Sequence, residues 1–411
     1  MASGAITFNQ IPSNVRVPGV YLEISNAAAG YSSSNLVALI IGQPTVTATS
    51  QTPVLVTTVD AANATFGAGS QLSRMIAAFI GENPTTTLYA LPLNDNGTTK
   101  ATTVLTLAGT ATAAGTIFLY VNDDQIQVPV STGDTPTIIG GNIAAAVNLN
   151  VLLPVTAANA SGVVTFTSKN AGTVGNGITV QANYLGNLNN EYLPTGVTAS
   201  FAAGVTGATD PVLATALANT GSVQYEYIIQ PYTDTTSLTA ISSYMAGRWG
   251  PSSQLFGHCF TAAKGTSATL ATLGSALNDP HNTIAGYYGS PTWSVELAAA
   301  VGAQAAFNLS NDPARTLQTV ALQTVMVPLQ STWFTYTDLN TCLYNGITPI
   351  NYVGGVARIV RLITTYQKNA YGLPDPSYLD VTTLATNARL ERDAQYMILQ
   401  KFPRCKLAAD G

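Results

Sequence analysis

The sequence predicts an α/β chain, α+β overall, made of an alternating βα body, an inserted β-rich domain and a C-terminal hairpin followed by a helix. Three observations carry this expectation. Apolar runs closed by Gly or Pro alternate with helical patterns over residues 36–96 and 206–311, the spacing of a largely parallel sheet. Between them, residues 97–205 turn rich in Thr, Ala, Gly and Val, with only six charged side chains. Near the end, Gly354–Asp380 opens with a Gly-Gly turn and continues as a run of β-branched residues.

In chain order, residues 1–35 read as an arm. Proline breaks surround a short alternating stretch, Val20–Ile24, with too little apolar surface to fold alone. Leu36–Gly42 is apolar throughout and is expected to be a strand buried on both faces. Leu72, Met75, Ile76, Phe79 and Ile80 share one face of a helix capped by Ser70. Thr87–Leu93 is the next strand. In the insertion, short strands are expected at Thr103–Leu107, Thr116–Val121, Gln125–Val130, Val163–Thr167 and Ile178–Tyr184, with a helix over Ile138–Asn148. The alternation resumes with helices from Pro211, over Ser237–Gly247 and over Ser267–Leu277, each leading to a strand. Ser290-Pro291 then reads as the cap of a helix through Phe307. After an irregular Thr- and Gln-rich stretch come a helix over Asp338–Asn345 and a hairpin of Thr348–Tyr352 with Val356–Tyr366. The last helix runs from an Asp380 or Thr382 cap to about Phe402, with Leu390, Ala394, Met397 and Phe402 expected on one face. The domain reading is an arm at 1–35, a body at 36–96 and 206–335, an inserted surface domain at 97–205, and a C-terminal domain at 336–411.

Charge bounds the function. Only 9% of the 411 residues are charged, about a third of the usual share, while 46% are apolar, so low charge here does not mean disorder. Such a surface repels other copies weakly. Residues 355–411 carry eight basic and five acidic side chains, and the first 354 carry seven basic and fifteen acidic. An acidic body with a basic end suits head-to-tail contacts between copies. Nucleic acid is a poor partner for an acidic chain with no basic patch interleaved with aromatics. The three cysteines, Cys259, Cys342 and Cys405, lie in no paired spacing and imply a reduced compartment. The first residues lack a signal-peptide pattern, and no run of about 18 apolar residues occurs, so neither secretion by a cleavable signal nor membrane insertion is expected.

Chemistry-bearing patterns are few. His258 and Cys259 are neighbours in a strand and point to opposite faces, so they cannot share a metal there. No zinc, calcium, serine-hydrolase, dinucleotide or phosphate-loop pattern is present, and no cofactor is implied. The most enzyme-like cluster is Asn278-Asp-Pro-His281, for which a helix-ending turn is the favoured reading, since no pattern supplies a group to orient the histidine. The expectation is a structural protein and not an enzyme.

Several ordered matches along the chain then resemble the contractile-tail sheath proteins of Mu-like bacteriophages. They are Ile11-Pro-Ser-Asn-Val-Arg-Val-Pro-Gly-Val-Tyr-Leu-Glu-Ile24, Tyr227-Ile-Ile-Gln-Pro-Tyr-Thr-Asp234, Arg248-Trp-Gly-Pro251, Asn278-Asp-Pro-His281, Arg361-Leu-Ile-Thr-Thr-Tyr-Gln367 and Pro374-Asp-Pro-Ser-Tyr-Leu-Asp380. The resemblance implies a subunit that stacks in hexameric layers around a tail tube protein, with baseplate and tail terminator proteins at the ends of the polymer. Terminal arms would add strands to neighbouring subunits, and the sheath would contract to drive the tube through a host envelope. Localisation would be the virion, after assembly in the host cytoplasm. Carried onto this sequence, the inter-subunit contacts fall on Val17, Val20, Tyr21, Leu22, Glu23 and Ile24 of the arm. Their receivers would be Arg358, Arg361 and Leu362 in the strand after the Gly-Gly turn, with Arg389 and Arg392 in the last helix. Members of the family continue past the region matching Phe402–Gly411, so part of the C-terminal domain is expected to lie beyond this sequence. The alternative is a surface-layer or adhesin-like structural protein, suggested by the Thr- and Asn-rich insertion and opposed by the missing signal pattern.

Overall fold

The computed structural model describes residues 36–401. Residues 36–392 form one compact unit, and the described residues 393–401 belong to another. The expected arm, with Val17 and Val20–Ile24, lies outside the described residues.

The first strand, β1 (Val37–Gly42), shows why a continuous apolar run is needed. Ala38 and Ile40 pack into one core, while Leu39 and Ile41 pack into another on the opposite face. β2 (Val54–Val56) and α1 (Val59–Phe66) follow, neither anticipated from periodicity. α2 (Gln71–Glu82) starts as expected at Ser70, whose hydroxyl accepts from the Ser73 N–H at 3.1 Å. It leads to β3 (Thr87–Pro92), parallel to β1.

Residues 97–205 build β4 (Thr102–Ala108), β5 (Gly115–Val121), β6 (Asp124–Val130), α3 (Pro136–Leu149), β7 (Val155–Ala160), β8 (Val163–Ser168), β9 (Val180–Ala182) and β10 (Thr198–Ala203). These form two antiparallel sheets, β10-β4-β8-β7 and β6-β5-β9. Their apolar core is continuous with that of the body.

The body resumes with α4 (Leu213–Ala218), β11 (Tyr227–Ile229), α5 (Thr235–Arg248), β12 (His258–Lys264), α6 (Ser267–Ser275), β13 (Asn282–Tyr287) and α7 (Ser294–Asn311). Ser290-Pro291 does not cap α7. Trp293 stands at the cap position, and the Ser290 hydroxyl donates instead to Met326 O at 2.6 Å, which holds the turn before the helix. β14 (Gln318–Leu322), α8 (Tyr336–Tyr344), β15 (Ile347–Val353), β16 (Val356–Arg361) and α9 (Val381–Lys401) complete the described chain.

Nine strands form the main sheet in the order β14-β16-β15-β13-β12-β11-β1-β3-β2. Strands β15 through β3 run parallel, and an antiparallel extension closes each end. Helices α2 and α7 cover one face; α4 and α5, then α6 and α8, cover the other. Chain order reverses at β1, whose neighbours are β3 on one side and β11 on the other.

Candidate assembly surface

Such a reversal opens a crevice at the carboxyl ends of parallel strands, the usual seat of ligands in doubly wound sheets. Here it is filled from within. Gln43, just past β1, donates from Nε2 to Asp95 Oδ1 at 2.7 Å and to Ala171 O at 2.8 Å. The Asp95 carboxylate also accepts from Ala171 N and Asn170 Nδ2, and Asn170 Oδ1 accepts from Gln71 N at the start of α2. The segment Asn170–Val174 of the insertion thus occupies the place where an α/β enzyme would hold substrate.

The histidines are equally structural. His258 is buried, and its Nε2 lies 2.8 Å from Thr283 Oγ1. Burial, with His281 close by, pushes its pKa down to about 3, so it stays neutral across the physiological range. The His281 ring lies against Trp249, centroids 4.7 Å apart. Among the described residues no cluster of His, Cys, Asp or Glu could hold a metal, and no helix is long and apolar enough to cross a membrane.

The Asn278-Asp-Pro-His281 turn has a different task. Asn278 Oδ1 accepts from the N–H groups of Gln367 and Lys368 at 2.8 and 2.9 Å, and its Nδ2 donates to Lys368 O. The Thr365 hydroxyl donates to Asp279 O, and Thr365 N donates to Asn282 O. This clamps the chain leaving β16 against the amino end of β13. Asn278 can close so tightly because its backbone is left-handed, φ 44°, a conformation Asn tolerates well.

The hairpin is as expected, with Val353 opposite Val356 and a turn through Gly354 and Gly355, both at positive φ. The strand after it is shorter than expected. β16 ends at Arg361, and beyond a bridge from Ile363 to Asp380 the chain folds back on itself. Both edges of β16 are occupied within the chain, by β15 and by β14. The second partner is the Gln318–Leu322 segment of the stretch expected to be irregular. It pairs because β16, which buries Ala357 and Ile359 in the core and bonds to β15 along one edge, leaves a second edge that a short segment can reach.

Of the anticipated contact residues, Arg361 is held inside its own chain. Its Nε and Nη2 donate to the two Asp380 oxygens at 2.8 and 2.7 Å, a bidentate pair joining β16 to the start of α9. Arg358, on the other face, donates from Nη1 to Thr319 O at 3.0 Å. Leu362 is buried in the core. Arg389 and Arg392 lie on α9 along a narrow apolar cavity at the amino ends of β1, β11 and β12. Arg392 Nη1 is 3.9 Å from Glu226 Oε1, while Glu226 Oε2 accepts from Val37 N at 2.7 Å. Burial raises the Glu226 pKa, an effect these partners oppose. The buried side of α9 is Val381, Leu384 and Ala388. Leu390 and Met397, expected to share one face, are 62% and 58% exposed. Val381, Leu384, Ala385 and Ala388 line the cavity at the strand ends, and that docking selects the inward face.

Sequence reasoning missed the polar hub that fixes the insertion to the body. Arg74 on α2 meets Glu296 of α7 at 2.5 Å, Asp124 at 2.8 Å and Asp123 at 3.6 Å, the last two at the β5–β6 turn. Local patterns carry no trace of it, since its members are up to 222 residues apart.

Among the described residues, then, the crevice is filled from within, His258 is buried and neutral, and the outer edge of β14 carries no paired strand. Residues 206–365 match the family model described as the phage tail sheath protein central domain. The chain is 34% identical to the Mu-like prophage FluMu tail sheath protein of Haemophilus influenzae, over 99% of this chain and 84% of that protein. It therefore belongs to the Mu-like phage tail sheath family, and it is a structural subunit of a contractile tail. Two solved sheath tail proteins are similar at lower identity. That of Desulfitobacterium hafniense is 13% identical, TM-score 0.47, covering 93% of this chain and 83% of its own. That of Listeria innocua is 12% identical, TM-score 0.45, covering 91% and 78%.

Proposed function

We propose that this chain polymerises with copies of itself, in hexameric layers of a helical sheath around a tail tube protein, and that contraction of the sheath drives the tube through a host envelope. The observation that supports this best is the outer edge of β14, unpaired among the described residues and five residues long, against three at the opposite edge strand β2. An open edge is a template for a strand from another chain. The donor is the N-terminal arm, through Val17, Val20, Tyr21, Leu22, Glu23 and Ile24. Residues 355–411 carry a net positive charge, whereas residues 1–354, which make up the body of the next copy, are acidic. Leu362, being buried, supports the receiving sheet from below. Baseplate and tail terminator proteins cap the polymer, the 97–205 domain lies on its outer surface, and nucleic acid and membrane take no part. The subunit assembles in the host cytoplasm and ends in the virion.

Removing residues 1–25 tests this reading. The shortened chain is expected to melt as the full chain does, yet to give no tubes by sedimentation or electron microscopy. Tubes formed without the arm sink the donor assignment.

A further inference from the structure

The open edge of β14 is not a regular strand. Its pairing with β16 runs from Gln318–Arg361 to Leu322–Ala357, but the Thr319–Val360 pair is missing. Thr319 has φ 54°, and it is the one non-glycine residue at positive φ inside a strand among the described residues. A β-branched side chain makes this backbone an outlier, so it persists only if neighbouring groups hold it. Two contacts do. Arg358 on β16 reaches across and donates from Nη1 to Thr319 O at 3.0 Å. The Thr319 hydroxyl donates to Gln318 O at 2.7 Å. Because Leu362 N donates to Leu317 O, alternation along an antiparallel ladder turns the backbone groups of Gln318 towards the open side. The hydroxyl therefore caps an acceptor that an incoming strand would need.

We propose that Thr319 and Arg358 form an edge guard, which keeps β14 from pairing until a strand from a second copy of this chain straightens it. The inference rests on the reading that β14 receives such a strand. For the edge to become a template, Thr319 must return to the extended region. That turns its carbonyl away from Arg358 and releases Gln318 O from the hydroxyl. The guard opposes pairing by stray edges and yields to an arm presented at high local concentration, as in a growing polymer.

Three full-chain variants test the guard. Thr319→Val lacks the hydroxyl and disfavours the left-handed backbone; Arg358→Met lacks the guanidinium; Thr319→Gly accepts the kink without strain. The concentration above which purified protein pellets, as tubes or as disordered strand-paired aggregate, is expected to fall tenfold or more for Thr319→Val and Arg358→Met. It is expected to stay at or above the wild-type value for Thr319→Gly. If Thr319→Val fails to fold, Arg358→Met carries the test. Wild-type behaviour of the Val and Met variants, or an equal fall for all three, overturns the guard. If the chain lacking residues 1–25 still forms tubes, the strand-donor reading fails; if it forms none while the Val and Met variants match wild type, the guard alone fails.

Discussion

Glu296 sits in the first turn of α7, almost fully buried, and shares the Arg74 guanidinium with Asp123 and Asp124. Three carboxylates against one arginine leave a surplus of negative charge beside Glu296, whose own carboxylate is almost shut off from water. Burial raises the Glu296 pKa first, and Asp123 and Asp124 add to it; Arg74 opposes. The net result is a rise from 4.5 to about 7. The fold thus favours the protonated acid. Its stabilising effect is full below about 4.5, the unfolded value, and is lost as the pH rises through about 7. At 1.36 kcal/mol per pH unit, the loss amounts to about 3 kcal/mol. Glu296→Gln keeps an acceptor for Arg74 and removes the charge. It is expected to match wild type near pH 5 and to exceed it at pH 8.5 by up to about 3 kcal/mol, or roughly 3–4 °C in Tm for a chain of this size. Thermal melts followed by tryptophan fluorescence are a suitable assay, because Trp293 Nε1 donates to Val174 O of the insertion and reports the same junction. Parallel pH profiles for the two proteins, or a variant less stable at pH 8.5, would refute the argument and show that the Arg74–Glu296 attraction outweighs the crowding of carboxylates.

Asn278→Ala removes three hydrogen bonds to Gln367 and Lys368 and places alanine in a left-handed backbone, so a loss of about 2–3 kcal/mol is expected. Tryptic cleavage after the exposed Lys368 should rise with it, and unchanged cleavage would rule out the clamp. Gly302→Ala would set a Cβ 2.5 Å from Ile229 Cγ1 where α7 crosses β11, an overpacking that costs about 1–3 kcal/mol and lowers the urea midpoint. An unshifted midpoint would mean that α7 can lift from the sheet freely.

Much of the body was legible in local pattern. The buried strand Val37–Gly42, the Ser70 cap, the helix–strand alternation and the Gly-Gly hairpin each depend on residues a few positions apart, which periodicity and capping chemistry encode directly. The resemblance to sheath proteins was also readable, because ordered matches survive without knowledge of the fold. Boundaries drifted where tertiary contacts end an element, as at Arg361, whose bond to Asp380 turns the chain out of the strand. Only the tertiary structure decided that Gln318–Leu322 fills the side of β16, that Asn278 is a clamp, that Asn170–Val174 fills the sheet's crevice, and that Arg74 gathers three carboxylates. Each joins segments tens to hundreds of residues apart. The sequence by itself determined which segments could be strands or helices and which face must be buried. Which buried face meets which, and which edge remains open to another copy, follows from packing the whole chain. No local pattern of side chains records a partner that lies beyond its own turn or strand.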